Sequence, residues 1–260
     1  MSFIETLELA NDERLHMLRP TASRGIDSGM IRKGPQTMAP VVADQPIRAA
    51  VNGNSIISFV AGVNQDEASD VLYSTQFAQR AADKKYDKFT AMEDWYGFYT
   101  EVLTSLGWVT EALAFTKHQN LSGTYTLDKS ALDVLMTIAT GNQLAILVKA
   151  LTTLKGLADG EGAIKIFDLQ AMTKLSGNCQ LGSVQRADNG VLSMALGAFY
   201  FHSNDHRERA LFVRWGNQDI QFWSAAQKMT LNTALYARHR AVVTEKLVRA
   251  DDYIATLEIA

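Results

Sequence analysis

The sequence predicts an α+β protein: a helical N-terminal half packed on a C-terminal antiparallel β-meander, with a closing C-terminal helix. Three observations carry that expectation. All four prolines, Pro20, Pro35, Pro40 and Pro46, lie in one N-terminal stretch and none follows. Apolar residues between Asn64 and Leu157 recur mainly at helical steps of three and four, whereas between Cys179 and Leu231 strand-like segments are separated by tight-turn residues. Helical spacing then returns from Tyr236 to Leu257. The expected organisation is an N-terminal arm over residues 1–50 and a single body over 51–260, with a helix-rich part (51–160), the meander (177–231) and the closing helix (232–257).

Taken in order, Phe3, Ile4, Leu7, Leu9, Leu15 and Leu18 read as a short helix, and Arg19 to Arg48 reads as an extended arm lying over the body. Ser55 to Val63 is a candidate strand. Asn64 with Glu67 stands at capping-box spacing and opens a helix through Val71, Leu72, Phe77 and Ala81; Thr90 with Glu93 repeats the signature ahead of Trp95, Phe98, Tyr99, Val102 and Leu103. Trp108 to Lys117 reads as a strand, returned by a turn at Asn120 to Gly123. Ser130 with Asp133 begins the most apolar region, which Thr140-Gly141-Asn142 divides into two short helices. Cys179 to Arg186 and Val191 to Ser203 flank Asp188-Asn189-Gly190, a hairpin signal; Arg207 to Trp215 and Ile220 to Leu231 are expected to complete a four-segment meander.

Composition narrows the function classes. A chain of 260 residues with 47% hydrophobic and 20% charged residues can bury a large core. A net charge of −3 offers no long-range attraction to phosphate, which argues against dedicated nucleic-acid binding. A single cysteine, Cys179, excludes an intramolecular disulfide framework and a cysteine-rich zinc site. Met1-Ser2-Phe3-Ile4-Glu5 lacks the basic start and apolar core of a signal peptide, so the expectation is synthesis in the cytoplasm, with any release through a dedicated apparatus or lysis. The sequence leaves oligomeric state open.

Several side-chain groups could carry chemistry. His202, Asp205, His206 and Glu208 form the densest set of acid–base and ligand groups, with His206 beside Asp205 or Glu208 as the proton-transferring candidate of an enzyme reading; a strand-connecting turn explains the same residues. Glu93 and Asp94 suit the start of a helix better than paired acid catalysis, because adjacent helical residues point apart. Gly160-Glu161-Gly162 lacks the rest of a phosphate loop, and Ser176, Ser183 and Ser193 lack a nucleophile-elbow context. No metal site is expected. Tyr200, Arg214, Trp215 and Trp223 could line a ligand groove, with sheet core as the plainer alternative. Cys179 is the candidate for a thioester-linked fatty acyl group filling an apolar cavity beside Ala195, Leu196 and Ala198.

The stretch Val134 to Val148 contains no charged residue and is too short to cross a bilayer as one helix. A buried helical hairpin is the ordinary explanation, and a membrane-active hairpin is the sharper one, with Leu135, Ile138, Leu144, Ile146, Leu147 and Leu151 as its lipid-facing residues. The leading functional expectation is therefore a non-enzymatic, toxin-like virulence effector that engages a target-cell membrane. The alternatives are a small-molecule enzyme with the His/Asp/Glu site and a structural interaction module.

Overall fold

A computed structural model describes residues 38–42, 49–118, 126–156, 163–204, 211 and 220–255. Its strands are β1 (Met38–Val42), β2 (Ala49–Asn52), β3 (Ser55–Phe59), β4 (Trp108–Val109), β5 (Thr116–His118), β6 (Ser176–Arg186), β7 (Leu192–Ser203) and β8 (Ile220–Leu231). Its helices are α1 (Gln65–Lys85), α2 (Met92–Ser105), α3 (Leu127–Leu135), α4 (Gly141–Gly156), α5 (Ala163–Ala171) and α6 (Thr233–Ala255). The fold is α+β, with the last helix closing the chain.

Local chemistry explains most element boundaries. Asn64 caps α1 through a complete capping box with Glu67, as the spacing predicts. The parallel expectation at Thr90 fails: α2 follows Ala91 with no side-chain cap, because Asp87 Oδ1 already accepts from the amides of Phe89 and Thr90 in the preceding turn. The expected strand from Trp108 to Lys117 is split into β4 and β5, both antiparallel to β8. Helix α3 starts at Leu127, ahead of Ser130, and the break at Thr140-Gly141-Asn142 separates it from α4 as expected. Between β6 and β7, Gly190 takes φ +80 and its amide donates to Ala187 O at 2.8 Å, closing the predicted hairpin.

Among the described residues, the eight strands form one mixed sheet in the order β1-β2-β3-β6-β7-β8-β4, with β5 also on β8. The meander expectation is corrected in two respects. First, β7 pairs directly with β8 from Leu192↔Leu231 to Ser203↔Ile220, so no strand lies between them; Arg207 to Trp215, apart from Leu211, lies outside the described residues. Second, the sheet extends into the N-terminal part, because β3 pairs in parallel with β6, from Ser55↔Gln180 to Phe59↔Val184. Part of the expected arm joins it as well: Met38–Val42 pairs with β2, and Pro40 is accommodated on that outer strand. The remainder of the arm, the short helix expected over Phe3 to Leu18 and the turn at Asn120 to Gly123 lie outside the described residues.

Helices cover both faces of the sheet. Alternate residues of β3, β6 and β7 divide accordingly: Ile57, Phe59, Val184, Met194 and Leu196 pack under α1, α2 and α6, while Ile56, Cys179, Leu181, Ala195, Phe199 and Phe201 pack under α3, α4 and α5. Two glycines make room for rings on the second face. A Cβ at Gly177 would stand 2.0 Å from the Phe201 ring, and one at Gly197 would stand 2.6 Å from the Phe199 ring.

Candidate functional site: the charge-free helical layer and the polar seam

Helix α4 buries Gln143, Leu147, Ala150, Leu151 and Leu154, one stripe at helical spacing against the sheet. Leu135 of α3 joins them in the core, and Ile138 and Leu144 are half-buried against it. The six proposed lipid-facing residues are therefore divided: Leu135, Leu147 and Leu151 are committed to the core, and Ile138, Leu144 and Ile146 lie at its margin. The outer surface belongs to residues sequence reasoning passed over. Met136 is 57% exposed and Val148 44% exposed, and Thr137, Gly141, Asn142 and Ala145 are exposed between them. The helical phase carried the signal, since a stripe through Leu147 and Leu151 turns Ala145 and Val148 outward.

The turn between these helices is tied to the strands. Gln143 is fully buried; its Nε2 donates to Ser183 O at 2.7 Å, its Oε1 accepts from the Thr140 amide at 3.0 Å, and Ser183 Oγ donates to its carbonyl at 2.9 Å. Thr140 Oγ1 also donates to Gln185 Oε1 at 2.6 Å. Among the described residues, no helix is long and apolar enough to cross a membrane.

Cys179 is fully buried opposite Phe199 on the same sheet face. Burial pushes its thiol pKa well up, and nearby Asp168 adds to the effect, so the sulfur is held as a thiol rather than the reactive thiolate. Ala195 shares its face, whereas Leu196 and Ala198 point to the other side of the sheet.

The acid–base cluster is only partly in view. His202 is next to last in β7, with Nδ1 2.9 Å from the Oγ of Ser176, its cross-strand partner. Asp205, His206 and Glu208 lie outside the described residues, as do Gly160-Glu161-Gly162, Arg214 and Trp215. A second serine–histidine contact escaped sequence reasoning: His118 Nε2 is 2.6 Å from Ser224 Oγ, and desolvation lowers the His118 pKa. The pairing of β5 with β8 creates it, and nothing in residue spacing signals it. Among the described residues no three histidine, cysteine or acidic side chains gather as metal ligands. Glu93 and Asp94 are exposed in the first turn of α2, where the helix dipole favours them. Tyr200 and Trp223 form a half-buried cross-strand pair, with Lys117 Nζ 4.9 Å from the Trp223 ring centre.

The opposite face holds a polar seam that sequence reasoning missed entirely. Tyr96 OH donates to Asn178 Oδ1 at 2.6 Å, and Tyr99 OH to Gln180 Oε1 at 3.2 Å. Ser55 Oγ donates to that same Gln180 oxygen and accepts from Gln79 Nε2 at 2.6 Å. Asn52 Nδ2 donates to Leu72 O and Thr75 Oγ1, and Asn54 Nδ2 to Asn178 O. Burial raises the pKa of both phenols, so the seam is neutral at physiological pH.

No protein-family model and no curated protein matches the sequence. Among solved structures, the chain is similar to the Evf virulence factor, at 12% identity and a TM-score of 0.35, over 78% of this chain and 82% of that one. It is also similar to a delta-endotoxin, at 10% identity and a TM-score of 0.41, over 82% of this chain and 90% of that one.

Proposed function

We propose that this chain is a toxin-like effector that engages a target-cell membrane through the layer formed by α3 and α4. The observation that supports this reading is the uncharged outer surface between Asp133 and Lys149, on which Met136 and Val148 stand exposed. First contact uses that outer surface, where two large apolar side chains reach lipid without breaking any core contact. Deeper insertion draws on Leu135, Leu147 and Leu151. Exposing each costs about 1.5–3 kcal/mol, which burial in lipid returns, so separation of the layer from the sheet is coupled to the presence of a bilayer.

Dye-loaded liposomes test the reading. The parent chain is expected to associate with them and release dye, and Met136→Asp with Val148→Asp, both outside the core, is expected to lower leakage at least tenfold while leaving the circular dichroism spectrum unchanged. A parent chain that neither associates with the liposomes nor releases dye at any pH between about 4 and 8, the range in which carboxylates and histidines titrate, would remove the proposal.

A further inference from the structure

We infer that the polar seam between α1, α2 and the sheet is a hydration site, where ordered water is held by Asn52, Asn54 and Gln180. All three side chains are at most 1% exposed. Each has an atom to which no group among the described residues bonds: Asn52 Oδ1, Asn54 Oδ1 and Gln180 Nε2. A buried polar atom left in that condition costs about 1–3 kcal/mol, so three in one seam call for a ligand.

Register brings them together. Asn52 is paired with Ser55 and Ser55 with Gln180, placing the three on neighbouring strands, while Asn54 is hydrogen-bonded to Asn178, two residues before Gln180. Neighbouring strands lie about 4.8 Å apart, so Asn52 and Gln180, with β3 between them, stand about 10 Å apart at the backbone, a span their side chains close through one or two small molecules. The open groups are two carbonyl acceptors and one amide donor. A cation would suit the carbonyls and be opposed by the Gln180 amide; an anion would meet the reverse conflict. The groups named in the seam are neutral, so neither ion finds a counter-charge there. A small neutral molecule that both donates and accepts fits all three, and water, whose buried copies make about three hydrogen bonds, is the smallest.

Amide orientation does not dissolve the site. Asn52 and Asn54 are fixed by donation of Nδ2 to the carbonyls of Leu72 and Asn178. Turning Gln180 over would set its amine against the Ser55 and Tyr99 hydroxyls and leave an open acceptor in place of an open donor, which water serves equally.

A crystal structure of the full chain at a resolution that orders solvent is the first test, joined to water-selective cross-relaxation on the nitrogen-15-labelled protein. The expected result is water density within about 3.2 Å of the open Gln180 side-chain atom and of Asn52 Oδ1 or Asn54 Oδ1. A long-lived water signal at the Gln180 side-chain amide, absent in Gln180→Met, is expected with it. A dry seam in the parent crystal, with the three amides satisfied by protein groups, would overturn the inference whether or not Gln180→Met folds. So would density for a bound ion.

Discussion

On one face of the sheet, α1, α2 and α6 meet the strands through large rings and directional polar contacts: Trp95 stacks on Tyr99, Trp108 Nε1 donates to Ser74 Oγ at 3.0 Å, and the amide seam runs beneath. On the other, α3, α4 and α5 meet them mainly through Leu127, Leu135, Leu147, Leu151, Leu154 and Phe167, with Gln143 as a polar tie. Helix α6 belongs to the first face too, where Arg240 makes a two-pronged ion pair with buried Asp70 at 2.8 and 2.6 Å. Hydrogen bonds and ring stacking lose their value when displaced, whereas aliphatic contact is non-directional. The first layer is therefore expected to be the costlier of the two to displace from the sheet.

The largest effect that sharpens this contrast comes from Trp108→Ala, expected to cost about 3–5 kcal/mol because it leaves a ring-sized void and removes the indole donor to Ser74 Oγ, which keeps only its own bond to Val71 O. Leu147→Ala is expected toward the lower end of about 2–5 kcal/mol, since the second layer can close over the gap. Urea unfolding measures both, and a costlier Leu147→Ala would break the contrast.

Gly177→Ala, on the second face, is expected to cost about 1–3 kcal/mol because the new Cβ drives the Phe201 ring out of place. Its unfolding midpoint is the check; a neutral substitution would mean that this layer yields even to a ring displacement. Gln143→Leu is expected to cost about 1–3 kcal/mol by removing the tie to Ser183. Hydrogen exchange should quicken in α3 and α4 and stay unchanged in α1 and α2. Uniform quickening would show that the two layers open as one unit.

The smallest effect is pH-dependent. Desolvation holds the His118 pKa below its ordinary value of 6.5, so the unfolded chain takes up a proton more readily. The neutral ring's contribution to stability is present above about 6.5 and is lost as pH falls through the lower folded value. The difference in thermal unfolding between the parent and His118→Gln should be constant above that range and change below it, with the parent losing more on acidification.

Much of the local structure is legible in single residues. Asn64 and Glu67 announce α1, Asp188-Asn189-Gly190 announces a hairpin, and Thr140-Gly141-Asn142 announces a helix break, because each acts on backbone groups within a few positions. The parallel pairing of β3 with β6 is not legible, since nothing near Ser55 refers to Gln180, a partner more than a hundred residues away. One trace was present: Cys179, Leu181 and Val184 set apolar side chains at both parities of one strand, which marks a strand buried on both faces rather than a sheet with a wet side. The charge-free stretch is legible from its missing charges, but which of its residues stand on the outer surface is not, because hydrophobicity names the residues that prefer burial and not those left outside.

Legible in the amino-acid sequence alone are the α+β class, the start of α1, the helix break ahead of α4, the β6–β7 turn and the charge-free stretch from Val134 to Val148. These follow from side-chain period, turn chemistry and formal charge, which operate over one or two turns of chain. Long-range packing sets the rest: helices cover both faces, Met136 and Val148 rather than Leu147 and Leu151 face outward, and Asn52, Asn54 and Gln180 share one seam. Those outcomes depend on strand register and on which stripe of a helix meets the sheet, and register is settled by contacts between residues far apart in the chain.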